Sequence, residues 1–245
     1  MGNMNPDREI VEVIWLGQVD YRAAWDLQNR LAAEIAGGKQ APILLLLEHP
    51  HTFTIGRRGG RDHLLWDEKK RAQAGVALVE VDRGGDITYH GPGQLVGYPL
   101  LRLAAPNWQG ERLPQADFVG YIRRLEEVLI QTLAAFDIQA ERRSGLTGVW
   151  VPAVGISSQP GKIASIGVKV DAKGISRHGF ALNVAPQMEY WEGIVACGLD
   201  GVRMAAIADL LMPTPPMEQV VQQAAISFGN VFGVELVWKD RLERV

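Results

Sequence analysis

The chain has 245 residues, of which 47% are hydrophobic and 22% charged, and its formal net charge at pH 7 is −3. A chain of this length and composition buries a sizeable core without a disulfide or a structural metal. Its mildly acidic balance argues against a nucleic-acid partner, because such binding needs a surplus of Lys and Arg. The sequence has a single cysteine, which excludes an intramolecular disulfide and is typical of a reducing compartment.

No segment predicts export or membrane insertion. The first ten residues carry Asp7, Arg8 and Glu9 and lack the apolar run of a secretory signal. The longest strongly apolar run, Ile43–Leu47, is far shorter than the roughly 20 residues that a membrane-spanning helix needs. We therefore expect a cytoplasmic protein with no membrane partner.

The first half of the chain predicts one helix followed by strands. Asp20 is a suitable N-cap for a helix over Tyr21–Ala36, which Gly37 and Gly38 would end. Apolar runs bounded by turn residues predict strands at Ile43–Leu47, Ala77–Val81 and Gln94–Leu103. Residues 104–114 are expected to form a surface loop.

The second half predicts further helices and a hairpin. Asp117 opens a segment in which apolar residues recur every three or four positions up to Phe136, which is typical of a helix with one buried face. Strands are predicted at Gly148–Val151, Lys162–Val170 and Ser176–Val184, the last two joined by a turn at 171–174. Helices at about Met204–Leu211 and Pro216–Phe232 precede a strand at Val234–Trp238. These elements predict one α/β or α+β domain over residues 1–245, with a mixed β-sheet flanked by helices.

The segment from Arg83 to Gln94 is the densest in unusual residues. Its glycines allow positive φ angles and close approach of the backbone to a ligand, while Thr88, Tyr89 and His90 supply hydrogen-bonding groups. Composition alone is equally consistent with a hairpin rich in turn residues. The spacing matches neither a P-loop nor a dinucleotide-binding fingerprint.

The order of residues from Arg83 to Tyr98 resembles the signature of the lipoyl(octanoyl) transferases, in which Arg-Gly-Gly precedes a Thr, an aromatic residue, a His, Gly-Gln and a Tyr. Four further blocks resemble that family in the same order: Glu48–Pro50 with Thr54–Arg57, Lys162–Val168, His178–Asn183 and Ala196–Gly198. The resemblance covers about residues 10–212, and the elements predicted at about 216–238 follow it. It implies the fold of the biotin/lipoate protein ligase catalytic domain.

The resemblance implies an acyltransferase that moves octanoyl from octanoyl-acyl carrier protein to a lysine of a lipoyl domain, through a thioester on Cys197. Lys162 would be the second catalytic residue, with His49 and His178 in support. The implied substrate-binding residues are Arg83, Gly84, Gly85, Asp86, Ile87, Thr88, Tyr89, His90, Ser165, Ile166, Gly167, Gly179, Phe180 and Ala181. The implied acceptors are lipoyl domains of 2-oxoacid dehydrogenase complexes and the glycine cleavage protein, and no cofactor is implied.

General chemistry is consistent with this assignment. A free thiol is only a few per cent thiolate at neutral pH, so a catalytic cysteine needs a nearby cation or base. Lys162 is the matching residue, and a partly desolvated lysine can also serve as general base for an incoming amine. Thioester exchange followed by amide formation is downhill and needs no ATP. Backbone N–H groups near His178 and Gly179, or between Lys162 and Gly167, are candidates for holding the oxyanion.

Each of these residues also has an ordinary structural interpretation. A lone cysteine is usually a small buried hydrophobe, and histidines are often satisfied core residues. No pair of histidines has helical metal spacing, so we expect no metal site. Two basic clusters could receive an acidic carrier or could simply be solvated: Arg57, Arg58 and Arg61, and Arg142 and Arg143.

Two departures and three rival functions remain. Ala196 stands where many relatives carry proline, and the segment from Pro152 to Gly161 is long enough for a flap over the acyl channel or an inserted turn. The first rival is an ATP-dependent lipoate or biotin protein ligase, against which the co-occurrence of Lys162 and Cys197 argues. The others are a non-catalytic scaffold and an amidotransferase that moves octanoyl between protein lysines.

Overall fold

Two β-sheets organise the computed structural model, which describes residues 8–103, 117–152, 160–198 and 201–240. Within these ranges the helices are α1 (Tyr21–Ala36), α2 (Glu68–Gln73), α3 (Phe118–Ala134) and α4 (Met217–Phe232). The strands are β1 (Ile10–Gln18), β2 (Ile43–Glu48), β3 (Thr52–Ile55), β4 (Ala77–Glu80), β5 (Ile87–His90), β6 (Gln94–Leu100), β7 (Glu141–Arg143), β8 (Leu146–Val151), β9 (Gly161–Val170), β10 (Ser176–Asn183) and β11 (Glu235–Trp238).

The larger sheet is mixed, with strand order β11-β1-β2-β6-β10-β9-β8-β7. β1 runs parallel to both β11 and β2, whereas each pairing from β2 to β7 is antiparallel. Helices cover both faces of this sheet. The predicted mixed sheet flanked by helices is therefore confirmed.

Strand β2 shows why the sheet is buried on both sides. Side chains alternate across a strand, so Leu44 and Leu46 pack in the cluster that holds α3 and α4. Ile43, Leu45 and Leu47 face the other way and pack against α1. A continuous apolar run is the pattern expected of a strand covered on both faces.

The smaller sheet, with strand order β4-β3-β5, carries the glycine-rich segment toward the larger sheet. β3 pairs parallel to β4 and antiparallel to β5. All four residues of β5 are buried. The glycine-rich segment thus consists of a turn followed by the buried strand β5, and three residues connect β5 to β6.

Most predicted elements are confirmed. Asp20 caps α1 by accepting hydrogen bonds from the N–H groups of Arg22 and Ala23, and Asp117 caps α3 through Gly120. The turn between β9 and β10 closes with a hydrogen bond of 3.0 Å from Gly174 N to Asp171 O. Gly233 ends α4 in the left-handed conformation, at φ 68°.

The helix predicted at Met204–Leu211 is wrong. Met204 instead lies beside β9, where Lys162 N donates to Arg203 O at 2.8 Å and Ala205 N donates to Lys162 O at 2.9 Å. These bonds hold the backbone extended, and a single 3-10 turn remains at Ile207–Asp209. The strand predicted to reach Leu103 ends at Leu100, and β1, β3, β5 and β7 were not predicted.

Two predicted segments lie outside the described residues. They are the surface loop at 104–114 and, apart from its ends, the segment from Pro152 to Gly161. Within the described ranges, no helix is long and apolar enough to cross a membrane.

Candidate active site

Cys197 and Lys162 are in contact although 35 residues separate them in the sequence. Lys162 Nζ donates to Cys197 Sγ at 3.1 Å, and Ser165 Oγ lies 3.9 Å from the same sulfur. The lysine side chain is buried, with the residue only 3% exposed, whereas Cys197 is partly exposed. The contact places a buried lysine amine against the sulfur of a partly exposed residue that lines a cavity, so a substrate can reach the pair.

The position of Lys162 depends on the hydrogen bonds of its backbone and on a neighbouring glycine, Gly148, that leaves space for its side chain. Its N–H and C=O bond to the segment at 203–205, which fixes the start of β9. Gly148 on β8 has a φ of 123°, and a Cβ atom there would lie 2.7 Å from Lys162 Cε and 2.6 Å from Ala164 O. Glycine at this position therefore makes the room through which the lysine reaches the cysteine.

Cys197 lies in a tight turn with an unusual backbone. Its φ and ψ are 59° and 17°, which is the left-handed region that non-glycine residues rarely adopt. Gly198 follows in the same region, at φ 66°. The preceding residues are tied to the segment after Arg61, since Val195 N donates to His63 O at 2.8 Å and Leu65 N donates to Gly193 O at 2.8 Å.

Arg83 is buried between the two sheets. Its Nη2 donates to the carbonyl and hydroxyl oxygens of Thr54 at 2.7 and 2.8 Å, and its Nη1 donates to Gly84 O at 3.0 Å. A Cβ atom on Gly56 would lie 2.6 Å from Nη1, so a glycine is needed beside the guanidinium. Arg83 Nε is buried without a partner among the described residues.

Two histidines form a buried polar wall with tyrosine and glutamine. His49 Nδ1 lies 2.7 Å from Val19 O and its Nε2 lies 2.7 Å from the Tyr98 hydroxyl, so a neutral ring donates to the former and accepts from the latter. His90 Nδ1 donates to Gln94 Oε1 at 2.7 Å. Burial lowers the pKa of His49 to about 4 and that of His90 well below its usual range.

His178 belongs to a separate network around Asp82. Its Nε2 lies 2.7 Å from Asp82 Oδ1, and Lys169 and Arg177 pair with the other carboxylate oxygen at 2.6 and 2.9 Å. Burial lowers the pKa of His178, and the hydrogen bond to Asp82 opposes that effect. The N–H of His178 already donates to Gln28 Oε1 at 2.7 Å, so that predicted oxyanion donor is occupied in this structure.

One cavity of about 450 Å³ lies at this site, and His49 is not among the residues that line it. Its walls include Cys197, Lys162 and His178 together with 13 of the 14 predicted substrate-binding residues. The exception is Tyr89, whose ring stacks on Tyr190 at 5.3 Å and whose hydroxyl lies 2.9 Å from His51 Nδ1. Neighbouring residues of β5 point to opposite faces, so Thr88 and His90 face the cavity while Tyr89 faces away.

Several residues at the site were not predicted. Tyr21 and Tyr98 line the cavity, and burial raises the pKa of Tyr21 to about 12. His63 and Asp82 hydrogen-bond to predicted residues. Only Tyr98 carried a signal, because it closes the block that begins at Arg83.

Three arginines of the two basic clusters form ion pairs with glutamates. Arg61 pairs with Glu80, and Arg143 pairs with Glu141. Arg142 pairs with both Glu126 and Glu127.

The chain matches known proteins over most of its length. Residues 20–229 match the lipoyl protein ligase A/B catalytic domain. This chain belongs to that family. The family member named octanoyltransferase from Chloroflexus aurantiacus is 42% identical over 223 residues, covering 91% of this chain and 94% of that protein. The octanoyltransferase of Acidobacterium capsulatum is 41% identical, covering 94% of each chain.

Solved lipoate protein ligases share the fold of this lipoyl protein ligase A/B family member. A bi-partite lipoate protein ligase from Thermoplasma acidophilum superposes with a TM-score of 0.70 at 17% identity, covering 96% of this chain and 88% of that chain. Lipoate-protein ligase A bound with ATP superposes with a TM-score of 0.65 at 15% identity, covering 96% of this chain and 90% of that chain. The predicted family and fold are confirmed.

Replacing Gly148 by alanine should separate Lys162 from Cys197. The new methyl group would collide with Lys162 Cε and with Ala164 O, so the lysine must move. We expect Gly148→Ala to lower the rate of Cys197 alkylation by iodoacetamide at pH 7 by about tenfold or more. Moving a positioned group by about 1 Å can lower a reaction rate by that much. The measurement is the second-order rate constant, followed by intact mass.

Gly145→Ala is the matched control for this variant. Gly145 lies three residues earlier and also has a positive φ, 77°, but a Cβ atom there meets nothing within 4 Å. A methyl group there is likewise added to a backbone of positive φ, but it does not touch the lysine. Equal alkylation rates in the two variants would contradict the role assigned to Gly148.

The buried histidines should make the protein less stable in mild acid. The unfolded chain protonates His49 with a pKa near 6.5, whereas the folded chain does so only near 4. Protons therefore bind the unfolded state preferentially between these values. Stability is complete above pH 6.5 and falls toward pH 4, by roughly 1.4 kcal/mol per pH unit for this one group.

His49→Asn provides the test in urea unfolding at several pH values. An asparagine keeps a donor for Val19 O but does not titrate, so the variant should be less stable at pH 7 yet lose less on acidification. Between pH 7 and 9 both proteins should show flat profiles with respect to this group. Identical acid slopes in the two proteins would show that His49 does not titrate as proposed.

Proposed function

We propose that this protein is an octanoyltransferase that modifies lipoyl domains through an acyl-thioester on Cys197. The observation that carries the proposal is the contact of 3.1 Å between Lys162 Nζ and Cys197 Sγ at a cavity of about 450 Å³. Relatives named octanoyltransferase, 41–42% identical over more than nine-tenths of the chain, support the same acyl group. Residues 1–245 would act as one catalytic domain in the cytoplasm, where a thiol stays reduced.

The first step forms the thioester on the enzyme. The Cys197 thiolate attacks the carbonyl carbon of the octanoyl thioester on the acyl carrier protein. The C–S bond to the carrier breaks, and the carrier's thiolate takes a proton from the Lys162 ammonium, which becomes a neutral amine. Lys162 stabilises the thiolate before attack. The reaction exchanges one thioester for another, so it needs no ATP and no other cofactor.

The second step releases the acyl group to a lysine of a lipoyl domain. The neutral amine attacks the thioester carbonyl, the C–S bond breaks, and the amide forms. Lys162 accepts the proton that the amine loses, and the Cys197 thiolate returns. The Thermoplasma acidophilum ligase was studied with its own E2 lipoyl domain, which supports this class of acceptor for the family fold.

The cavity suits a medium-length acyl chain. Apolar side chains on four elements line it, namely Ile122 of α3, Leu146 of β8, Ile166 of β9 and Phe180 of β10. Phe180 lies over β6 because Gly97 has no side chain, and a Cβ atom there would be 2.1 Å from the ring. Apolar walls of this kind bind an alkyl chain by removing it from water.

The ATP-dependent ligase is the second candidate, since solved ligases share the fold. These ligases are only 15–17% identical to this chain, whereas the octanoyltransferases are more than 40% identical. A ligase that forms an acyl-adenylate also has no use for a cysteine activated by lysine. The contact between Lys162 and Cys197 therefore favours the transferase.

Intact-protein mass spectrometry tests the thioester directly. Mixed with octanoyl-acyl carrier protein and no ATP, the native protein should gain one octanoyl group that hydroxylamine removes and that a lipoyl domain takes up. Cys197→Ser should gain no thioester, and Lys162→Ala should be acylated about 10²–10⁴-fold more slowly, the range for loss of a catalytic acid–base group.

Lys173→Ala serves as the matched control for Lys162→Ala. Lys173 is exposed in the turn between β9 and β10, so its loss should leave acylation unchanged. Transfer that occurs only when ATP and free octanoic acid are added would overturn the proposal and establish the ligase.

Arg57 and Arg58 are the basic residues that we propose for binding the acidic carrier. Arg58 lines the cavity mouth, both are exposed, and neither has an ion pair among the described residues, unlike Arg61, Arg142 and Arg143. Arg57→Glu with Arg58→Glu should raise the KM for the carrier substrate about tenfold at low salt, with kcat little changed, because exposed charges act mainly on encounter.

The control for this charge change is the pair Lys39→Glu and Lys173→Glu. It alters the net charge equally at exposed positions after α1 and between β9 and β10. Its KM should stay close to that of the native protein, and high salt should erase the difference between the two double variants. A KM that responds equally to both pairs would remove the docking role of Arg57 and Arg58.

A further inference from the structure

A histidine and a carboxylate lie directly against the backbone that follows Cys197. His63 Nδ1 and Asp86 Oδ2 are 2.7 Å apart. A Cβ atom built on Gly198 would lie 2.5 Å from Asp86 Oδ2 and 3.0 Å from His63 Cε1. The pair therefore packs on the Cα atom of the residue next to the cysteine.

The carboxylate of Asp86 has little freedom to move. Its Oδ1 accepts a hydrogen bond from Ile87 N at 2.6 Å. A Cβ atom on Gly59 would lie 2.9 Å from the same oxygen, so glycines flank the carboxylate on two sides. The side chain is only 13% exposed.

His63 touches the cysteine turn in two ways. Its ring lies directly against Gly198, where a Cβ atom would be 3.0 Å from Cε1, and its carbonyl accepts the N–H of Val195 at 2.8 Å. Gly198 N in turn donates to Val195 O at 3.0 Å, which closes the turn around Cys197. The turn is thus held at both ends by the segment that contains His63.

The turn needs such support because two successive residues in it have left-handed backbones. Cys197 has a φ of 59° and Gly198 a φ of 66°. A non-glycine residue persists in this conformation only where its surroundings hold it. If the turn relaxed, the sulfur would move away from Lys162 Nζ, which it now contacts at 3.1 Å.

We propose that His63 and Asp86 act as a pair of positioning residues that hold the left-handed turn at Cys197 and thereby keep its sulfur on Lys162. Asp86 has a second role beside its place in the substrate cavity. The effect on catalysis rests on the proposed function, whereas the contacts of His63 and Asp86 with the turn do not depend on an acyl substrate.

Cysteine alkylation and steady-state kinetics of His63 variants test the pair. We expect His63→Ala to lower both the rate of Cys197 alkylation by iodoacetamide at pH 7 and the kcat for octanoyl transfer by about tenfold, with KM for the carrier substrate within about twofold. His63→Asn should recover most of both rates, because the asparagine Nδ2 can occupy the position of the histidine Nδ1 and donate to Asp86. Asp62→Ala, an exposed neighbour, should behave like the native protein.

A double-mutant cycle shows whether the two residues act as a unit. If they do, His63→Ala combined with Asp86→Ala should be no slower in alkylation than the slower single variant. Losses that simply add would overturn the pair, as would an unchanged alkylation rate in His63→Ala. A slow but folded His63→Ala that His63→Asn does not rescue would also overturn it.

The two proposals fail in different ways. Alkylation needs no acyl substrate, so slow alkylation of His63→Ala together with no octanoyl transfer by the native protein would reject the proposed function and retain the positioning pair. Normal transfer by the native protein with unchanged alkylation in His63→Ala would do the reverse.

Discussion

The burial of a lysine beside the single cysteine is the constraint on which the rest of the site depends. Removing an ammonium group from water is costly unless a partner compensates, and here the sulfur at 3.1 Å is that partner. The arrangement requires an empty space at Gly148, an extended backbone at 203–205, and a turn that presents Cys197 with a left-handed backbone. Each requirement comes from a different part of the chain, so the contact exists only in the complete fold.

The polar groups at the cavity are only partly hydrogen-bonded to one another, since Arg83 Nε, Thr88 Oγ1 and His178 Nδ1 are buried without a partner among the described residues. Burial lowers the pKa of His49, His90 and His178, so these rings are neutral near neutral pH. Asp82 keeps its charge because, although burial raises the pKa of its carboxyl, the hydrogen bonds from His178 and Lys169 outweigh that effect and lower it. His90 and His178 therefore line the cavity as neutral rings, His49 lies outside its lining, and Lys162 is the basic group that contacts the sulfur.

The sequence predicts those features that a run of residues encodes. The five apolar residues at Ile43–Leu47 suited a strand buried on both faces, which the structure has. The ordered blocks from Glu48 to Gly198 carried the resemblance to the family, and with it the prediction of Cys197 and Lys162 as catalytic residues. Strand β1 was not predicted, although it pairs both with β2, the next strand along the chain, and with β11 at the other end of the chain. The helix expected at Met204–Leu211 does not form, because residues 203 and 205 make backbone hydrogen bonds with Lys162 instead. Such a long-range contact cannot be predicted from the local spacing of apolar residues. His63 belongs to no pattern at all, since only the folded turn brings it to Asp86.

The parallel pairing of β11 with β1 has a consequence for how the protein is made. Residues 10–13 pair with residues 235–238, so the edge of the larger sheet is complete only after nearly the whole chain has been synthesised. Lys162 and Cys197 are synthesised before that point. Until then the growing chain presents β1 as an open edge and lacks α4, which covers one face of the sheet. A nascent chain that stalls before α4 thus exposes apolar strands before the contact between Lys162 and Cys197 is secured, which makes it a substrate for chaperones or proteases rather than a partially working enzyme.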